Sequence, residues 1–159
     1  MTHALLIALL TAAAPEVEPR LVAFKIQPIR ISVPADFAHT EEGATHRFSA
    51  KEGEAFFEVD VGKVQTAGMK GEVCRDKITK GIGGKFTKLV LGGQPAAKKV
   101  VTDKNKAKEE FVTHLYVGCD GSTTWSMSFH VLKAKTDQYL PLAGKIAETI
   151  QFPKTEEED

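Results

Sequence analysis

Between Glu109 and Val131 the chain reads EEFVTHLYVGCDGSTTWSMSFHV, two alternating runs around a polar, glycine-containing break. Phe111, Thr113, Leu115 and Val117 alternate with polar or amphipathic neighbours, and Trp125, Met127, Phe129 and Val131 do the same after the break. A period of two places such residues on one face of a strand, so the segment predicts an antiparallel hairpin at the centre of a sheet. With Gly118 to Ser122 as the loop, Val117 faces Thr123, Leu115 faces Trp125, Thr113 faces Met127 and Phe111 faces Phe129. That register puts every apolar side chain on the same side of the ribbon.

The rest of the chain supplies partners for this hairpin. Leu21 to Ile26 and Ile29 to Val33 read as short extended pieces, the second bracketed by Pro28 and Pro34 and so suited to an edge. Asp36 to Ala44 is polar and reads as a loop. Thr45 to Ala50 and Glu54 to Val61 form a hairpin about a turn at Lys51 to Gly53. Between residues 66 and 82 the period changes to three or four, with Met69, Val73, Ile78 and Ile82 as the apolar stripe of a helix capped by Thr66. Phe86 to Leu91 and Ala97 to Thr102 are the next strands, joined through Gly92-Gly93-Gln94-Pro95. A last helix starts at Thr136 or Asp137, holds Pro141 in its first turn, and carries Leu142, Ala143, Ile146, Ala147 and Ile150 as its apolar stripe. The order predicts an α+β domain over residues 21–152: an antiparallel sheet of six to seven strands flanked by two main helices, in an α/β/α-like sandwich.

Charge is distributed unevenly in a chain that is neutral overall. Residues 16–60 sum to −4, residues 63–108 to +9 and residues 109–159 to −5. The basic middle contributes Lys77, Lys80, Lys85, Lys88, Lys98 and Lys99. If these converge, they form a surface for an acidic protein or an anionic membrane. Nucleic acid is disfavoured, because few aromatics interleave with the lysines. No apolar run long enough for several membrane spans occurs.

The first residues, MTHALLIALLTAAAPEVEPR, follow a short apolar segment with small side chains. That order predicts a secretory signal peptide over residues 1–13, a linker over 14–20, and export to the periplasm or beyond the bacterial envelope. Were this segment an uncleaved helix, an intracellular chaperone or regulator would be the reading instead. Cys74 and Cys119 could close a 46-residue segment with one disulfide, a pairing that export favours. Glu156 to Asp159, within a tail over 153–159, is acidic and expected to be disordered.

Several phrases resemble the PsbP-like family, named for the extrinsic photosystem II protein and including a nuclear Ran-binding protein, bacterial secreted proteins and lipoproteins. They are ISVPADF (31–37), LVLGGQPAAKKVV (89–101), FVTHLYVGCDGSTTWSMSF (111–129) and YLPLAGKIAETIQF (139–152). The resemblance implies a binding or assembly module rather than an enzyme with a shared active site. It transfers no functional residue to this chain.

His114 and His130 sit about 13 Å apart along the strands in the register above, too far to share an ion, and no metal or cofactor is expected. Asp120, Gly121 and Ser122 are ordinary turn residues. A small hydrolase would have to build its site from His114, His130 or the Asp120–Ser122 turn. The leading expectation is an exported, non-enzymatic binding module with a protein partner.

Overall fold

The computed structural model describes residues 18–64 and 68–152. The expected signal peptide, the linker up to residue 17, the Thr66 cap and the acidic tail lie outside the described residues. Eleven main elements follow: β1 (Leu21–Ile26), β2 (Ile29–Pro34), β3 (Ala38–Glu42), β4 (Thr45–Ser49), β5 (Ala55–Lys63), α1 (Gly71–Ile82), β6 (Thr87–Leu91), β7 (Gln94–Lys104), β8 (Glu110–Cys119), β9 (Thr123–Leu132) and α2 (Thr136–Glu148). Seven strands make one antiparallel sheet in the order β3-β4-β5-β9-β8-β7-β6, and β1 pairs with β2 in a separate ribbon. The α+β class and the strand number expected from the sequence are both present.

Strand β3 occupies a stretch read from the sequence as a loop. All five of its residues are exposed, so no buried side of the strand leaves a hydrophobic period to detect. Its hairpin to β4 turns through Gly43 and Ala44, with Glu42 opposite Thr45. The β6–β7 hairpin turns through Gly92 and Gly93, both at positive φ, which a two-residue turn matched to strand twist requires.

The β8–β9 register differs from the expected one. Cys119 lies opposite Thr124, Gly118 opposite Trp125, Tyr116 opposite Met127 and His114 opposite Phe129. The offset is three residues, and an odd offset exchanges the faces of one strand relative to the other. Phe111, Leu115 and Val117 therefore share a face with Ser126, Ser128 and His130, not with Trp125, Met127 and Phe129. Turn chemistry is one cause. The Asp120 carboxylate accepts the backbone N–H of Ser122 at 2.8 Å and of Thr123 at 2.6 Å, closing the turn on four residues rather than five. Coverage is the other: α1 packs on β7 and β8, α2 packs on β9 and β8, and the two helices take opposite faces. Apolar side chains are useful on both sides of β8, so alternation alone selects no register.

The larger core lies on the α2 face. Phe48, Phe57 and Phe129 stack across β4, β5 and β9, with ring centroids 4.8 and 5.5 Å apart. Ile146, Ile150 and the ribbon residues Ile29 and Ile31 close over them with almost no exposure. The expected stripe of the last helix is the one observed, since Leu142, Ala143, Ile146 and Ala147 are buried. Its start differs: Lys135 is the N-cap, without a side-chain cap, and Pro141 is the sixth helical residue rather than part of the first turn. Trp125 lies over Gly118, where a Cβ would overlap the indole ring.

Helix α1 is rotated from its expected orientation. Cys74 and Arg75 are its buried residues, whereas Val73 is 47% and Ile82 46% exposed. Cys119, on the α1 face of the sheet, is bonded to Cys74 across a Cα separation of 6.0 Å. That bond turns Cys74 inward, and Val73, one residue earlier on the helix, turns out to solvent.

Candidate functional site

The lysines of the basic middle separate into groups once the sheet is formed. Lys77 and Lys80 are exposed on α1, Lys85 is exposed in the following loop, and Lys88 is exposed on the edge strand β6. Val73, Lys77 and Lys80 recur at four and three residues, which makes them one outward stripe of the helix. On β6, Lys88 lies opposite Ala97 and Val90 opposite Pro95, so both belong to the face that α1 covers. Lys99 also belongs to that face, but its ammonium donates to the Gly83 carbonyl at 2.9 Å and ties the end of α1 to β7. Lys98 does not join them. It pairs with Tyr116 in the ladder and points to the α2 face, with its ammonium 5.4 Å from the Tyr116 ring centre.

This side of the molecule is basic with apolar points. A recess of about 220 Å³ there is lined by Arg75, Asp76, Thr79, Lys80, Gly84, Phe86, Lys88 and Ala97. Asp76 accepts from Arg75 at 2.9 Å and from Lys88 at 3.1 Å. These bonds, Arg75 first, hold its carboxyl below the ordinary range. Among the described residues, Lys77, Lys80 and Lys85 form no ion pair, and Val90, two residues from Lys88 on the same strand face, is 67% exposed.

His114, His130 and the Asp120–Ser122 turn do not come together at one place. His114 lies on the α2 face opposite Phe129, and His130 lies on the other face opposite Thr113. Thr113 Oγ1 and His130 Nδ1 are 2.8 Å apart, and Phe56 stacks on the same imidazole at 4.6 Å. Ser122 is bonded within its own turn, donating to the Asp120 carboxylate at 3.0 Å. None of these residues lines the 220 Å³ recess, the 740 Å³ cleft beside Pro28 and Phe152, or the 610 Å³ cleft beside Phe37 and Tyr139.

Burial pushes the His114 imidazole below its ordinary value of 6.5, and Lys98 adds to the effect. Burial also lowers His130, with Glu58 opposing it. The unfolded chain therefore takes up these protons first as pH falls. The stability that the neutral rings contribute is complete above about 6.5 and is lost as pH drops from there towards the folded values. Glu110, lowered from 4.5 by Lys133, acts in a lower window. Equilibrium urea denaturation should give a lower midpoint at about pH 5.5 than at 7.5. The difference should shrink in His114→Gln/His130→Gln; a difference equal to that of the wild type would refute the assignment.

No family model matches the sequence, and no curated protein matches it. Solved structures do. A crystal structure from Bacteroides thetaiotaomicron aligns with a TM-score of 0.62 at 16% identity, covering 82% of this chain and 47% of that one. The chain thus spans about half the length of that protein. LpqN of Mycobacterium tuberculosis, a protein involved in cell envelope biogenesis, aligns with a TM-score of 0.61 at 13% identity, covering 86% of this chain and 92% of LpqN. The solution structure of PsbP from the cyanobacterium Synechocystis is also matched, at 8% identity and a TM-score of 0.44 over 91% of this chain and 99% of that one. The α+β fold expected from the sequence is shared with the first two of these structures.

Proposed function

We propose that this protein is an exported, non-enzymatic binding or assembly module that docks an acidic protein partner on its α1–β6 side. The carrying observation is the arrangement on that side: the outward stripe Val73–Lys77–Lys80, Lys85, and the exposed edge residues Lys88 and Val90 share one face of the sheet. Cationic side chains around a few exposed aliphatic groups steer an anionic partner and then bury apolar area against it. The Cys74–Cys119 bond fixes α1 against β8, so the lysine stripe is presented without an ordering cost at binding. It also favours an oxidising compartment, in keeping with the apolar N-terminal segment. Envelope biogenesis, attributed to LpqN, is a fitting setting for such a module. No helix among the described residues is long and apolar enough to cross a membrane.

Affinity capture from native envelope extracts tests the proposal. The wild-type protein should retain a partner whose binding weakens with rising salt, as contacts between exposed charges must. Lys77→Glu/Lys80→Glu/Lys85→Glu should lose that partner while unfolding at nearly the wild-type midpoint, because all three side chains are exposed. Equal capture by the triple variant would refute docking on this side. Loss of binding only to anionic vesicles would replace the protein partner by a membrane surface.

A further inference from the structure

We propose that His39, Glu41 and His46 form a binding site for a divalent transition-metal ion of the zinc type. One ligand atom from each of the three side chains lies within 4.8 Å of the other two. The hairpin register produces this convergence. Glu41 lies directly opposite His46, and His39 lies opposite Phe48. His39 and Glu41 are two residues apart, and hence on the same face as their partners. Cross-strand neighbours on one face sit about 4.5–5.5 Å apart at Cβ, close enough for three side chains to meet over one point.

The distances suit a metal ion. His39 Nε2 and His46 Nδ1 are 3.2 Å apart. Two imidazole nitrogens bound to zinc at about 2.0–2.1 Å in tetrahedral geometry stand roughly 3.3 Å apart. The nitrogens now face each other as a hydrogen-bonded pair. To bind the ion, the donating ring moves its proton to its other nitrogen, and both facing nitrogens present lone pairs. The Glu41 carboxylate is 3.9 Å from His46 Nε2, beyond hydrogen-bond reach. With 57% of its side chain exposed, it is able to turn towards the ion as the third ligand.

Packing holds the histidines in place. His39 lies against Phe48, with centroids 4.8 Å apart, and Phe24 of the β1–β2 ribbon meets its ring edge-on at 4.6 Å. The His46 side chain is only 15% exposed. The hairpin that carries them closes in two residues, with Gly43 at positive φ. Two imidazoles and one carboxylate select zinc, copper or nickel over magnesium and calcium, which require oxygen ligands. Three protein ligands leave the fourth position of a tetrahedral ion open to water or to a group from a partner. The site lies on the edge strand β3, at the opposite end of the sheet from β6, and it stands independently of the α1–β6 side.

Calorimetric titration of the full chain with Zn²⁺ at neutral pH, read together with the imidazole NMR signals, tests the site. One Zn²⁺ per chain is expected, with the His39 and His46 signals shifting together, and an excess of Mg²⁺ or Ca²⁺ should not compete. His39→Gln and His46→Gln should each weaken binding by at least the roughly 10–100-fold that loss of even an outer partner costs. Glu41→Gln should weaken it less. Absence of binding, wild-type affinity in both histidine variants, or a titration in which the His39 and His46 signals stay still would overturn the proposal. If either variant fails to fold, the imidazole signals of the wild-type chain decide the matter alone.

Discussion

Replacing Phe57 by alanine is expected to lower the unfolding free energy by about 3–5 kcal/mol. Phe57 has no exposed surface and stands in β5, between the β4 and β9 ladders. Its ring is stacked between Phe48 at 4.8 Å and Phe129 at 5.5 Å, and Phe37 approaches at 6.1 Å. Both stacking partners are anchored by backbone ladders, so neither can move in to fill the space. A cavity that cannot collapse lies at the costly end of the range. Phe56, the next residue, provides the control. It points to the opposite face, under the Arg47 guanidinium at 3.8 Å, and is only partly buried. Phe56→Ala should therefore cost clearly less than Phe57→Ala in urea denaturation. Equal losses would mean that the two faces of the sheet have been assigned wrongly.

The Cys74–Cys119 bond is the second large contribution. The two residues are 45 apart in sequence, and a loop of that size corresponds to roughly 4 kcal/mol in the chain-entropy treatment. Helix α1 depends on the bond more than α2 does. It buries only Cys74 and Arg75, whereas α2 buries four apolar residues. Cys74→Ser/Cys119→Ser should thus lower the denaturation midpoint strongly. Hydrogen exchange should show α1 losing protection before α2 and the β5–β9 pair. A double variant with the wild-type midpoint would show that packing alone holds α1 to the sheet.

The elements that were legible in the sequence are those with one buried side. The second strand of the opening hairpin, β9, and the last helix each bury a single stripe, and each reads correctly from its period. Strand β8 does not, because α1 and α2 cover its two faces and both parities carry apolar residues. Its register then depends on how Asp120 folds the turn, a side-chain to backbone matter that hydrophobic pattern does not carry. The α1 stripe differs from the expected one for a related reason. Counted as an ordinary small residue, Cys74 adds little to a period, yet its bond to Cys119 sets the rotation of the helix.

The candidate sites divide along the same line. Lys77 and Lys80 lie on the helix and Lys88 on the adjacent edge strand, with Lys85 in the loop between them, while Lys98 and Lys99 are consecutive on a strand and must point to opposite faces. The histidine cluster was invisible for the reason that β3 was. Without a strand over residues 38–42, His39 and Glu41 have no shared face and no fixed distance to His46. The separation of His114 from His130 holds, but through opposite faces of the sheet rather than through distance along it. One signal was available in retrospect: His-x-Glu and a second histidine flank a Gly-containing turn, with Thr and polar residues suited to a short edge hairpin.

The proposed docking on the lysine-rich α1–β6 side is tested against another part of the same sheet face, around Glu58, which lies opposite Ser128 on β9. Site-specific photo-crosslinking in the native envelope separates them. A photoreactive residue at position 80 should give a discrete cross-linked partner, and one at position 58 should give none. A partner captured from position 58 alone would contradict docking through α1 and β6.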